Sequence, residues 1–309
     1  MKLNPNILLL TTSLLMTSLS ACTPSGSEAT GSATAAARTE PRALATAATP
    51  PDAAQRPHTV TAPHGAQRSD EYYWLRDDKR QNPEMLAYLQ AENAYADAVL
   101  APLQGVQNRL YEEIVARIKQ DDSSVPYRER GWWYYSRLET GKDYPLPAPR
   151  AAANGVDALS IQRANEAGDF SGEQVLLDVN TLAEGKDFYQ VGGFTVSQDN
   201  RLLAWAEDLN GRRQYTVRFI DLDSGKTLPD TISGTSGDLV WADDNRTLLY
   251  VENDPDTLLT RYVKAHVLGT PAASDTLVYE EKDDSFYMGI GRRRDYRYIV
   301  IGLDSTVSN

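Results

Sequence analysis

Ser197-Gln198-Asp199-Asn200-Arg201-Leu202-Leu203-Ala204-Trp205 and Ala242-Asp243-Asp244-Asn245-Arg246-Thr247-Leu248-Leu249-Tyr250 are two versions of one phrase, a polar Asp-Asn turn opening into an apolar run. Asn200 and Asn245 stand 45 positions apart. A looser third version, Arg293-Arg294-Asp295-Tyr296-Arg297-Tyr298-Ile299-Val300, centres 51 positions further on. Asp and Asn close tight turns with their own side chains, and the residues that follow suit a strand. Behind the first two phrases comes another strand-like run, Tyr215 to Leu222 and Tyr262 to Leu268, offset by 47. Asp221-Leu222-Asp223-Ser224-Gly225-Lys226 reads as a hairpin turn. Periods of about 40–50 residues, each carrying several short strands, indicate propeller blades of four antiparallel strands.

Working upstream, Trp132-Trp133-Tyr134-Tyr135-Ser136-Arg137-Leu138 has the aromatic content of a strand, and Thr140-Gly141-Lys142 reads as a turn after it. The strand pattern therefore starts at residue 131. About 3.5 blades fit between 131 and 309, whereas propellers usually close with at least four. An incomplete β-propeller is expected there.

Before residue 131 the period changes. Asn82-Pro83 reads as an N-cap with proline at the first helical position. Met85, Leu86, Leu89, Ala96, Val99 and Leu100 follow at helical spacing. A second helix carries Leu103, Val106, Leu110, Ile114 and Ile118 in a 3.6-residue stripe and is stopped by Asp121-Asp122-Ser123-Ser124. Residues 58–130 are thus expected to form an N-terminal helical segment.

The extreme N-terminus reads as an address. Met1-Lys2 precedes an apolar run from Ile7 to Leu19, about 13 residues long where a spanning helix needs about 20. Leu19-Ser20-Ala21-Cys22 resembles the lipobox of bacterial lipoproteins, with the chain's one cysteine at the lipidation position. Residues 1–21 are expected to be a lipoprotein signal peptide and Cys22 the lipidated residue. Residues 22–57, rich in Ala, Thr, Ser and Pro, bury too little to order and are expected to be a disordered tether. The implied location is the cell envelope, lipid-anchored and periplasm-facing; Thr23 lacks the Asp signal for inner-membrane retention, which favours the outer membrane.

Composition narrows the chemistry. The 309 residues are 41% hydrophobic and carry a net charge of −12, which argues against nucleic-acid partners. One cysteine and three histidines leave no metal-ligand set, and no cofactor is expected. Asp221 and Asp223, and likewise Asp254 and Asp256, read as turn caps rather than calcium ligands. Arg292-Arg293-Arg294 reads as a solvated turn, and the aromatics 132–135 as packing.

The segments together resemble oligopeptidase B, a branch of the prolyl oligopeptidase family of serine peptidases. The resemblance is carried by Pro63-His64-Gly65, by Asp70-Glu71-Tyr72-Tyr73-Trp74-Leu75-Arg76-Asp77-Asp78, and by Tyr88-Leu89-Gln90-Ala91-Glu92-Asn93. Trp133-Tyr134-Tyr135-Ser136-Arg137 and Gly141-Lys142-Asp143-Tyr144-Pro145 complete it. It implies a mainly β chain holding about half of a seven-bladed propeller, preceded by a helical segment that wraps onto an α/β-hydrolase domain. It also implies a Ser-Asp-His triad on that domain, cleavage of short peptides after Arg or Lys, and a gating and docking role for the propeller.

The triad is not expected within these residues. A nucleophile elbow needs Gly-x-Ser-x-Gly, and no such pentapeptide occurs; Gly234-Thr235-Ser236-Gly237 is misspaced. His58, His64 and His266 are not expected to act as a general base. No catalytic residue is therefore assigned, and the chain alone is expected to be inactive, its partner being a C-terminal hydrolase half. The alternative is a non-catalytic lipoprotein scaffold that closes its propeller with a partner.

Overall fold

The computed structural model describes residues 48–308. The expected signal peptide, the lipidation position Cys22 and most of the expected tether lie outside the described residues. The chain falls into two compact units that divide after Arg109.

In the first unit, β1 (Thr59–Thr61) and β2 (Gln67–Ser69) form an antiparallel ribbon in which Val60 faces Arg68. Helix α1 (Pro83–Leu100) starts where its N-terminal signal stands. Asn82 Oδ1 accepts from the amides of Glu84 at 3.0 Å and Met85 at 3.3 Å. Asp77 Oδ2 in turn accepts from the Gln81 and Asn82 amides, which sets the angle at which the chain enters the helix. Met85 is buried, while Leu86 and Leu89 stay exposed.

Helix α2 (Gln104–Val115) spans the division between the units. The sequence predicts it running to Ile118. Instead its last turn tightens after Val115, with Arg117 and Ile118 donating to carbonyls three residues back, as frayed helix ends do. Val106, Leu110, Ile114 and Ile118 of the predicted stripe are all exposed. No helix among the described residues is long and apolar enough to cross a membrane.

The second unit carries all the remaining strands. A first irregular group comprises β3 (Tyr127–Glu129), β4 (Trp132–Tyr134), β5 (Ser136–Arg137), β6 (Leu146–Pro147) and β7 (Arg150–Ala151). The single strand expected over 132–138 is broken at Tyr135, where the chain changes partner: β4 pairs with β3 and β7, and β5 with β6. Helices α3 (Ala158–Glu166) and α4 (Val179–Ala183) follow, each capped by an aspartate, Asp157 and Asp178.

Two full four-stranded meanders come next. One is β8 (Gln190–Val196), β9 (Leu202–Asp208), β10 (Tyr215–Asp221) and β11 (Lys226–Thr227). The other is β12 (Ile232–Trp241), β13 (Thr247–Asn253), β14 (Thr260–Val267) and β15 (Thr276–Glu280). β16 (Tyr287–Arg292) and β17 (Ile299–Asp304) pair as the opening half of a further one. The start of β12 also runs beside β10, so the two full meanders share one sheet. The first strands of both, β8 and β12, approach so closely that a Cβ on Gly193 would lie 2.4 Å from the Gly237 carbonyl oxygen. Only glycine fits there.

Ala204, Val217, Phe219, Trp241, Leu248 and Tyr250 form the main core between strands. The Trp241 indole donates to Thr195 O at 3.1 Å and ties the second full meander to the first. The repeated phrase is thereby explained. Asn200, Asn245 and Tyr296 each take a left-handed backbone, with φ of 60°, 55° and 58°, at the turn between the first and second strand of their group. Arg130, at φ 44° between β3 and β4, occupies the same place and is a fourth copy that the sequence does not announce. The chain is mainly β, a partial propeller of short blades preceded by a helical segment, as expected.

Candidate functional site

The strands leave two sets of connections at opposite ends of the blades. At one end lie the turns between first and second strands. At the other lie the loops β9–β10 and β13–β14, which frame a cavity of about 450 Å³.

The lining of this loop-end cavity is polar and includes two carboxylates, Glu252 and Asp254. Asp208 shapes one wall: almost fully buried, it accepts from the amides of Asn210, Gly211 and Arg213 and folds the β9–β10 loop back on itself. Asp254 shapes the other. The backbone amides of Thr257 and Asp256 donate to it and hold its carboxyl below the usual range. Glu252 lies between them with Lys264 Nζ at 2.6 Å.

Asn253 is the unusual member. The residue is 8% exposed, and Oδ1 is buried without a hydrogen-bond partner. A buried acceptor left empty costs about 1–3 kcal/mol. Asn253 belongs to the cavity lining, so this unpaired acceptor lies just behind the cavity wall. Glu252 and Asp254 flank it, each with a cation of the protein beside it, Lys264 at 2.6 Å and Arg261 at 3.6 Å.

His266 is fully buried rather than poised. Its Nδ1 lies 2.8 Å from Asp275 Oδ1 and its Nε2 3.2 Å from Asp230 Oδ1. Tyr250 donates to Asp275 at 2.8 Å, and the Gly269 amide donates to Asp230. A general base needs one free ring nitrogen directed at its target; here carboxylates hold both. The group is a latch joining β14 to the segments that precede β12 and β15. His58 stacks on Tyr73 at 4.0 Å, and His64 is exposed.

The other sequence readings find these places. Asp221 accepts from Ser224, Asp223 pairs with Arg201, and Asp254 caps its own loop, so all three serve turns. Tyr134 and Tyr135 are buried, donating to Asn200 and Glu173 respectively. Among the described residues no group of three or more His, Cys, Asp or Glu is arranged to hold a metal. The sequence reading missed Asn253 and the pair Asp230 and Asp275. The signals available were Asn253-Asp254-Pro255 at a strand end and an Asp nine residues after His266.

The chain matches known proteins over the same stretch. The model for the family described as "Prolyl oligopeptidase, N-terminal beta-propeller domain" matches residues 51–309. A dipeptidyl aminopeptidase BI from Pseudoxanthomonas mexicana is 69% identical over 86% of this chain and 37% of its own length. Protease 2 from Moraxella lacunata is 33% identical over 82% of this chain and 35% of its own. Oligopeptidase B from Leishmania major superposes with a TM-score of 0.75 at 31% identity, covering 83% of this chain and 36% of that one. This chain thus spans little more than a third of the length of the relatives it matches. It belongs to the prolyl oligopeptidase family, on its oligopeptidase B side, and carries that family's N-terminal β-propeller domain.

Proposed function

We propose that this chain is the gating and docking part of a serine oligopeptidase resembling oligopeptidase B. The observation that carries the reading is the run of four-stranded antiparallel blades over the stretch that matches the family's propeller. In this reading a C-terminal α/β-hydrolase half supplies the Ser-Asp-His triad. The propeller admits short peptides and excludes folded proteins, and the 309 residues alone do not hydrolyse peptides. Cleavage after Arg or Lys is supported by the polar cavity around Asn253, with the carboxylates Glu252 and Asp254 in its lining, and by the net charge of −12. Lipidation at Cys22 would hold the enzyme in the cell envelope, at the outer membrane and facing the periplasm.

The 69% identical relative favours a second mode, release of dipeptides from the N-terminus of a peptide. The non-catalytic scaffold has one observation in its favour, the hydrogen bond from Tyr296 to Glu129 that joins the last turn to the first.

The test is the native product, immunoprecipitated from a membrane fraction with an antibody to residues 131–309. The expected species is lipidated, far heavier than 34.2 kDa, and labelled by a fluorophosphonate. Arg- and Lys-containing peptides, with free and blocked N-termini, separate internal cleavage from dipeptide release. A lipidated, unlabelled species of about 32 kDa, the mass left once a signal peptide is removed, would overturn the peptidase reading in favour of the scaffold.

A further inference from the structure

At the end of the blades opposite the Asn253 cavity, a second cavity of about 510 Å³ opens between β3 and the β16–β17 turn. Its charge is reversed. Arg128, Arg292, Arg293 and Arg294 line it against one carboxylate, Glu129. That carboxylate is engaged: Tyr296 donates to it at 2.9 Å, and Arg130 Nη2 lies 3.6 Å away. In a chain with a net charge of −12, four guanidiniums around one cavity are a local inversion.

The expectation of a solvated turn holds for Arg293 and Arg294 and fails for Arg292. The Arg292 side chain is 13% exposed and fixed on three sides, donating to Asp243 Oδ1 at 2.7 Å, Trp241 O at 2.7 Å and Tyr296 O at 3.0 Å. Its Nε is buried and donates to nothing. Arg293 lies 3.6 Å from Asp295 and 5.8 Å from the centroid of the Tyr298 ring. Arg128 and Arg294 are exposed and have no ion pair among the described residues. The Arg292 guanidinium is therefore committed to the protein, and the uncommitted Arg128 and Arg294 line the same cavity.

Guanidinium forks pair with carboxylate or phosphate oxygens two at a time. The volume is that of a small-ligand site, and Tyr127 and Tyr296 supply aromatic walls. We propose that this cavity binds the carboxylate of a short peptide. The identification of the carboxylate's carrier as a peptide rests on the peptidase reading above; the anion chemistry does not.

The experiment is calorimetric titration of the full 309-residue chain with trialanine bearing a free C-terminus, trialanine amide, an amidated tripeptide with a central glutamate, and inorganic phosphate. Free trialanine is expected to bind, with amidation weakening it about tenfold, as loss of a charge-assisted bidentate pair does. Arg128→Gln and Arg294→Gln, which break no ion pair, are each expected to weaken binding about five- to tenfold without changing the melting temperature. Binding of the amidated glutamate peptide as tight as that of free trialanine supports the site and assigns it to acidic side chains. Phosphate binding as tightly as trialanine, indifference to amidation, or no effect of the two substitutions overturns the proposal. The readout involves no hydrolysis, so failure here leaves the peptidase reading standing, and an unlabelled native product leaves this site standing.

Discussion

The Tyr296 hydroxyl donates a 2.9 Å hydrogen bond to Glu129 Oε1, joining the turn after β16 to the end of β3 across 167 residues of sequence. It is the last link in a circuit. Asn200 donates to Arg130 O, the Asp199 amide donates to Asn245 Oδ1, and Arg292 donates to Asp243, so each first turn holds the next. The circuit exists because each left-handed turn residue directs its side chain or its neighbour's toward the adjacent blade.

Tyr296→Phe removes that link and nothing else. Both partners are partly solvated, so the expected loss is about 1 kcal/mol or less in global stability. The local effect is larger: amide exchange in β3 and β17 should quicken while that in β9 and β13 is unchanged. Hydrogen exchange with mass analysis reads this directly. Uniform acceleration would mean that the circuit is not a separate element.

His266 provides the sharpest stability test. His266→Ala leaves Asp275 and Asp230, both nearly inaccessible, without the ring between them. Each buried polar group left without its partner costs about 1–3 kcal/mol. His266→Ala should lower the urea midpoint steeply, and Asp230→Asn, which keeps a polar group of the same shape, should cost less. Equal, small effects would show the latch to be incidental.

How far the sequence carries depends on the range of the interaction. The Asp-Asn phrases at 199–200 and 244–245 are legible because a residue with a short polar side chain tolerates the left-handed backbone and closes the turn locally. The fourth copy is not, because Arg130 occupies the same backbone region with no such chemistry, and only Gly131 beside it marks a turn. The start of α1 is legible in Asn82-Pro83, a contact of two or three residues. The break at Tyr135 is not, since it arises from β6 and β7, which compete for the strand from further along the chain. The same holds for the sites. Asp230 and His266 are 36 positions apart, and the emptiness of Asn253 Oδ1 is a property of packing that no spacing encodes.

At high pH the fold should fail through its tyrosines. Burial first, then hydrogen bonds to Glu173 and Glu207, push the Tyr135 and Tyr189 phenols well above the ordinary value of 10. For Tyr250, burial and the bond to Asp275 act the same way. A phenol that ionises later in the folded state contributes stability fully present below pH about 10, and loses it as pH climbs from there toward the folded value. The unfolding free energy should therefore fall above pH 10, with phenolate absorbance rising together with loss of the far-ultraviolet strand signal. Phenolate forming in full while the strands persist would contradict it.

Asn253 sets stability against binding. Its buried acceptor has no partner in the free chain, so Asn253→Ala removes an unsatisfied group along with a few packing contacts, and stability should change by about 1 kcal/mol or less in either direction. If the cavity receives a basic side chain, the same change removes a direct acceptor from the bound state. In the full-length peptidase proposed above, KM for Arg-containing peptides should then rise about five- to tenfold with kcat nearly constant, the signature of lost ground-state binding. Glu252→Gln should act in the same direction through charge, and its effect should shrink in high salt while that of Asn253→Ala does not. A KM indifferent to both substitutions would remove the cavity from the path of the substrate.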